Sequence, residues 1–107
     1  MISWVVDLDP TEGREQAGRR PALIISVDAF NRSAAELLLA VPLTSRDKGV
    51  RSHVPILAGE GGLDLPSFIK CEDVRSISTR RLRHRLGSVS DITLRMVEAR
   101  LRILMGL

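Results

Sequence analysis

Two short stretches carry side chains that could do chemistry: Glu15-Gln16-Ala17-Gly18-Arg19-Arg20-Pro21 and Thr44-Ser45-Arg46. A guanidinium is planar, always charged and able to grip two phosphate oxygens at once. Pro21 has a fixed φ and biases Arg20 towards an extended conformation, so the Arg20 side chain meets the apolar run that follows at a reproducible angle. In the second stretch two hydroxyls and a guanidinium follow one another, a set suited to phosphate oxygens. A guanidinium and a hydroxyl converging on one point could stabilise the charge of a pentavalent phosphorane. Taken alone, the two arginines would serve equally well as solvated charges flanking a strand.

The elements around these stretches say whether they meet. Residues 2–8 read as a strand with Trp4 in the core, ending at Asp9-Pro10. Residues 9–20 are polar and glycine-containing, a loop of the length that is often functional. Residues 22–27 form an apolar run interrupted only by Ser26, as expected of a central strand buried on both faces. Residues 37–43 are a further strand, with Pro42 arguing for a sheet edge or a strand terminus. If these two strands pair antiparallel, Arg20 at the start of one and Thr44 at the end of the other reach the same edge of the sheet.

Strands are also expected over residues 50–57, 67–74 and 85–89, with a hydroxyl-capped helical turn near residues 78–83. The clearest helix closes the chain. Ser90 is its N-cap, Asp91 adds negative charge to its first turn, and Gly106 terminates it. Leu94, Val97, Leu101 and Leu104 form its apolar stripe, extended by Ile92 and Met105. Connections this short favour antiparallel pairing, so a bent antiparallel sheet or partly open β-barrel with a C-terminal α-helix is the economical fold.

The 107 residues fit a single domain, 1–107, and a hydrophobic fraction of 44% excludes long disorder. Of the 16 basic residues 14 are arginine, only Lys48 and Lys70 departing, and the net charge is +3; polyanions are the expected partners. A GC-rich genome would produce the same arginine bias. The one cysteine, Cys71, excludes a disulfide framework and reads as a small buried residue in a reducing cytosol. No secretory signal opens the chain and no apolar run reaches the ~18 residues of a membrane span, so a cytoplasmic location is expected.

The motifs of zinc sites, P-loops, dinucleotide folds and serine-hydrolase elbows are missing, and no cofactor is expected. Neither histidine is well placed for catalysis: His53 sits in a strand, and His84 lies between two arginines that would depress its basicity. What remains is a metal-free polar site built on Arg20 and Thr44. RNA would bring its own nucleophile to such a site, the 2′-hydroxyl.

The segments WVVDLDP (4–10), TEGREQAGRRPALIIS (11–26) and VPLTSR (41–46), with DVRSI (73–77), resemble the MazF/PemK family of toxin endoribonucleases. The resemblance implies a small barrel of Src-homology-3-like, PemK-like layout with a C-terminal helix, and a homodimer that cuts single-stranded RNA without metal. It implies Arg20 and Thr44 as catalytic residues, the pair reached above from the residues themselves. It also places Glu15, Gln16, Arg19, Ser45 and Arg46 on the RNA, with Glu15 a candidate proton acceptor. The implied products are a 2′,3′-cyclic phosphate and a 5′-hydroxyl, and the implied partner is a separately encoded acidic antitoxin of MazE type. Two other readings stand beside it. A toxin of CcdB type shares the layout and acts on DNA gyrase without catalysis, although residues 104–107 offer no tryptophan to wedge into such a target. A non-catalytic nucleic-acid-binding barrel is the other, with Trp4, Phe30 and Phe68 a sparse set for stacking bases.

Overall fold

The computed structural model describes residues 1–7 and 18–107. Among these, strands β1 (Ile2–Asp7), β2 (Arg19–Ile24), β3 (Leu37–Thr44), β4 (His53–Ile56), β5 (Ser67–Lys70), β6 (Arg75–Ser78) and β7 (Leu82–Ser88) form one antiparallel sheet. Its order is β4-β5-β3-β2-β1-β7, with β6 beside β3. A one-turn helix, α1 (Asp28–Asn31), follows β2, and α2 (Asp91–Met105) closes the chain. This is the expected antiparallel architecture with a C-terminal helix.

The inner parts of the central strands, residues 22–24 and 40–43, are apolar without interruption because both of their faces are covered. Val6, Ala22, Ile24, Leu38, Ala40 and Ile77 pack together as one core, and Trp4 leans on it half-buried. Leu23, Val41, Leu43, Val54, Ile69 and Val97 belong to a second, larger core. Residues 22–24 and 40–43 thus alternate between two interiors, whereas Leu37 and Leu39 at the start of β3 are exposed and alternate with buried Leu38 and Ala40. Strand β2 ends earlier than its apolar run suggests: it stops at Ile24, and Val27 is 70% exposed.

Strand β3 has partners along both edges, which departs from the edge position that Pro42 suggested. Facing β2, the pairs run from Ala22↔Pro42 to Ile24↔Ala40. On its other edge β3 pairs first with β6, from Leu37↔Ser78 to Ala40↔Arg75, and then with β5 at Leu43↔Ile69 and Thr44↔Phe68. The Ile25 N–H donates to the Leu39 carbonyl at 3.0 Å, so odd-numbered residues of β3 turn their backbone groups to β2 and even-numbered ones turn away. Pro42 therefore lacks its N–H at the seam between β6 and β5, where no ladder bond falls.

The stretch expected as one strand over residues 67–74 is broken at that seam by a 3-10 turn, Cys71–Asp73. The turn is tied to β4. Buried His53 places Nε2 2.8 Å from Glu72 Oε2, and the Ser52 hydroxyl donates to Glu72 Oε1 at 2.6 Å. Burial pushes the Glu72 carboxyl up, but the hydrogen bonds from Ser52 and His53 outweigh it and hold the group below the usual carboxylate range.

The loop between β4 and β5 bridges the open side of the sheet. Its 3-10 turn, Glu60–Gly62, lies against β7, and the Ser3 hydroxyl donates to the Gly61 carbonyl. Gly62 has φ +73°, and a Cβ there would stand 2.1 Å from the Leu86 carbonyl oxygen. Glu60 reaches the other way, where its carboxylate accepts from the Thr93 hydroxyl and the Ser90 N–H at the start of α2. The helix itself begins as expected, with Ser90 Oγ accepting from the Thr93 N–H at 3.2 Å, and Gly106 closes it at φ +71°. Its buried line is Thr93 and Val97, with Met96 and Leu101 packed beside them, whereas Ile92, Leu104 and Met105 are exposed. Among the described residues the outer part of the expected stripe is left uncovered, as α2 packs on the short β4 and the Cys71–Asp73 turn.

Two stability predictions follow from these braces. Gly62→Ala combines a left-handed backbone with a backbone clash and should cost at least ~2 kcal/mol in urea unfolding; a loss within ~0.5 kcal/mol would show that the loop does not hold this approach. For Glu72, a folded pKa below the unfolded one means stability that is present above the unfolded value and lost as pH falls. Glu72→Gln should therefore be less stable than the parent near neutral pH, with the gap closing as pH drops through the carboxylate range. A gap independent of pH would show that the ionised carboxylate is not what the turn depends on.

Candidate active site

The first two residues of β2 are the arginines expected in the preceding loop. Arg20 stands opposite Val6 and Arg19 opposite Asp7, both in the ladder with β1. Pro21 faces Val5 next along it. Sheet pairing thus holds Arg20 in the extended backbone that the following proline favours. On the β3 side the ladder stops at Ala22↔Pro42, and the same register carried two residues further brings Arg20 level with Thr44. There the partners diverge, since Leu43 and Thr44 pair with β5 while Arg20 stays with β1.

A cavity of about 610 Å³ lies at this divergence, and both Arg20 and Thr44 line it. Ser45 and Arg46, at the start of the β3–β4 connection, line it too. Thr44 Oγ1 accepts a hydrogen bond from the Arg46 N–H at 3.2 Å. That turn fixes the hydroxyl through its acceptor side and leaves its proton to be donated elsewhere. Arg20, Ser45 and Arg46 are exposed, and Thr44 is half-buried.

Four of the seven expected site residues are therefore brought together: Arg20, Thr44, Ser45 and Arg46. Arg19 is not among the cavity's lining residues, because neighbours on a strand point to opposite faces. Glu15 and Gln16 lie outside the described residues.

The cavity also gathers charges that sequence reasoning passed over. Lys48 follows Arg46 in the same connection, and Lys70 comes from β5, two residues beyond the Phe68 that pairs with Thr44. Lys70 is nearly buried, its side chain 13% exposed, and its Nζ lies 3.7 Å from Asp73 Oδ2. Asp73 is itself 3.6 Å from the Arg75 guanidinium. The signal for Lys70 was a single lysine in the apolar stretch Phe68-Ile69-Lys70-Cys71. The fourth wall is Leu63, Asp64 and Leu65 of the braced β4–β5 loop. Among the described residues, no three His, Cys, Asp or Glu side chains gather as a metal would require.

Chemically, this is a concave, cationic, water-accessible site with one hydroxyl aimed by its own backbone. Clefts lined by one sign of charge raise the local concentration of a polyanion. A guanidinium and a hydroxyl donor on one side of the cavity suit a phosphodiester passing from a singly to a doubly charged state.

Known proteins similar in sequence and fold to this chain are numerous. Endoribonuclease MazF9 of Mycobacterium tuberculosis is 35% identical over 105 residues, covering 94% of this chain and 89% of the relative. The endoribonuclease toxin MazF of Escherichia coli is 34% identical over 106 residues, 98% of this chain and 90% of that protein. Among solved structures, MazF from Deinococcus radiodurans superposes with a TM-score of 0.84 at 33% identity, covering 99% of this chain and 93% of the other. A MazE–MazF structure from the same organism gives a TM-score of 0.78 at 32% identity, with 99% and 92% covered. The family model of the PemK-like, MazF-like toxin of type II toxin–antitoxin systems matches residues 4–105. With nearly the whole chain matched and the fold shared, the protein belongs to the PemK-like, MazF-like toxin family.

Proposed function

We propose that the protein is a sequence-specific endoribonuclease toxin of a type II toxin–antitoxin system, cutting single-stranded RNA at the cavity between Arg20 and Thr44. The observation that carries this reading is the placement of that guanidinium and that hydroxyl on one cationic cavity, each held by a different strand pair. Family membership and the relatives named endoribonuclease support it.

In the proposed reaction the substrate's 2′-oxygen attacks the adjacent phosphorus and the bond to the 5′-oxygen breaks. The products are a 2′,3′-cyclic phosphate and a 5′-hydroxyl, the leaving 5′-oxygen taking its proton from water. Arg20 stabilises the extra negative charge on the non-bridging oxygens as the phosphorane forms, and the Thr44 O–H donates to the same charge. Arg46 and Lys48, on the exposed rim, hold flanking phosphates. In this scheme Glu15 accepts the proton of the 2′-hydroxyl, and Gln16 and Arg19 contact the RNA. The protein's share is orientation and charge stabilisation, because the nucleophile is built into the substrate.

The same cationic groove suits an acidic antitoxin segment whose carboxylates imitate phosphate spacing, the role we assign to a MazE-type partner. Support comes from the Deinococcus radiodurans relative solved as a MazE–MazF assembly. The proposal includes a homodimer working in the cytoplasm. No helix among the described residues is long and apolar enough to cross a membrane.

Arg20→Ala should fold normally, since the side chain is exposed, and should lose ~10² to 10³ in cleavage rate. Thr44→Val removes the hydroxyl at nearly constant volume and should also slow cleavage, with a smaller loss. Turnover equal to the parent's in either variant would remove that residue from the chemistry. The nucleophile is tested separately: cleavage should survive excess EDTA and stop when the 2′-hydroxyl at the cut is replaced by hydrogen. Cutting of an all-DNA strand at a comparable rate would refute the mechanism.

A further inference from the structure

Most charges on the cavity wall attract phosphate, and one repels it. Asp64 lines the same space as Arg20, Arg46, Lys48 and Lys70. It is exposed, and its carboxylate makes no hydrogen bond or ion pair among the described residues. A carboxylate is an acceptor only, so it cannot bind a phosphodiester and must either face water or take an N–H or O–H of the ligand.

Its backbone is held for such a role. Leu63 on one side is buried in the larger core, its N–H donates to the Glu60 carbonyl at 3.3 Å, and its carbonyl accepts from the Gly59 N–H at 2.7 Å. Leu65 on the other side has its carbonyl bonded by the Ser67 hydroxyl at 3.0 Å. Behind them Gly62 is seated against the backbone of Leu86. The carboxylate thus projects from a segment anchored on both sides, rather than from a loose loop end.

We propose that Asp64 is a specificity-determining residue that reads an unpaired guanine beside the scissile phosphate. Guanine presents two N–H donors side by side on its Watson–Crick edge, N1–H and N2–H, and a carboxylate accepts both. Cytosine and adenine offer an amino donor with an acceptor beside it, and uracil offers one N–H between two carbonyl oxygens. Single-stranded RNA exposes these edges for reading. The arginines and lysines contact phosphates that every nucleotide carries, so they supply affinity without discrimination. The inference rests on the cavity being the RNA-cleaving site.

The test is cleavage of a randomised RNA pool by the parent, Asp64→Asn and Asp64→Ala, with sequencing of both ends of every cut. Binding of 2′-deoxy oligonucleotides that vary one base at a time is measured alongside. The parent should favour guanine over uracil by about tenfold to a hundredfold at one position near the cut. Both variants should lose that preference there and keep the parent's preferences elsewhere, with unchanged thermal melting. A guanine preference that persists in Asp64→Asn would overturn the proposal. So would a loss of rate equal for all four bases, which would assign the carboxylate to a ribose hydroxyl. The two readings fail separately: a parent that binds with an Asp64-dependent guanine preference yet never cuts refutes the cleavage reading alone, and a parent that cuts with a profile indifferent to Asp64 refutes this one alone.

Discussion

A β-strand has two edges, and β3 has three neighbours. Strand β2 occupies one edge, while β6 and β5 must share the other in succession. The changeover falls at Pro42, whose missing N–H would have broken a continuous ladder and instead marks the joint between two short ones. Beyond it, the end of β3 goes with β5 and the start of β2 goes with β1. The cavity exists because these ends diverge, and its walls are firm because each keeps its own partner, Val6 opposite Arg20 and Phe68 opposite Thr44. Positioning of this kind matters most where a reaction depends on alignment within the substrate more than on a powerful reagent from the protein.

The charges around the cavity are arranged at modest cost. Arg20, Arg46 and Lys48 are exposed, so they keep most of their hydration until a polyanion arrives. Lys70 is the exception, nearly buried, and its ammonium is met by Asp73, which also faces Arg75. The aqueous rim and the buried lysine differ in what salt should do to them, since exposed charges are screened and half-enclosed ones much less so.

Local signals in the chain were legible where one short-range rule governed the outcome. The Ser90 cap, the Gly106 stop, the Ser78 hydroxyl accepting from the Arg80 N–H, and the buried Cys71 all appear as expected. The meeting of Arg20 with Thr44 was legible too, because antiparallel pairing of two obvious strands leaves few registers. Other features depend on contacts distant in sequence. Phe68, Ile69, Cys71 and Val74 read as one apolar run, and nothing in their periodicity shows that a turn between two strands falls opposite Pro42, some thirty residues earlier. Asp64 and Lys70 reach the cavity only through the way the β4–β5 loop and β5 pack, and Lys48 only through the course of the β3–β4 connection. The helix stripe was overread at its ends for a related reason: periodicity reports which residues share a face, not how much surface is available to cover them.

Cys71 is packed in the larger core, and burial, with help from the nearby Glu72 charge, pushes its thiol up to about 11. At pH 8 only about one molecule in 10³ would carry the reactive thiolate there, even before access is considered. The native chain is therefore nearly silent towards maleimides and other thiol reagents while it stays folded. A cysteine introduced on the exposed rim of the cavity could be tagged with a fluorophore or spin label on an otherwise unaltered background. Conversely, the appearance of Cys71 reactivity would serve as a clock for opening of the core.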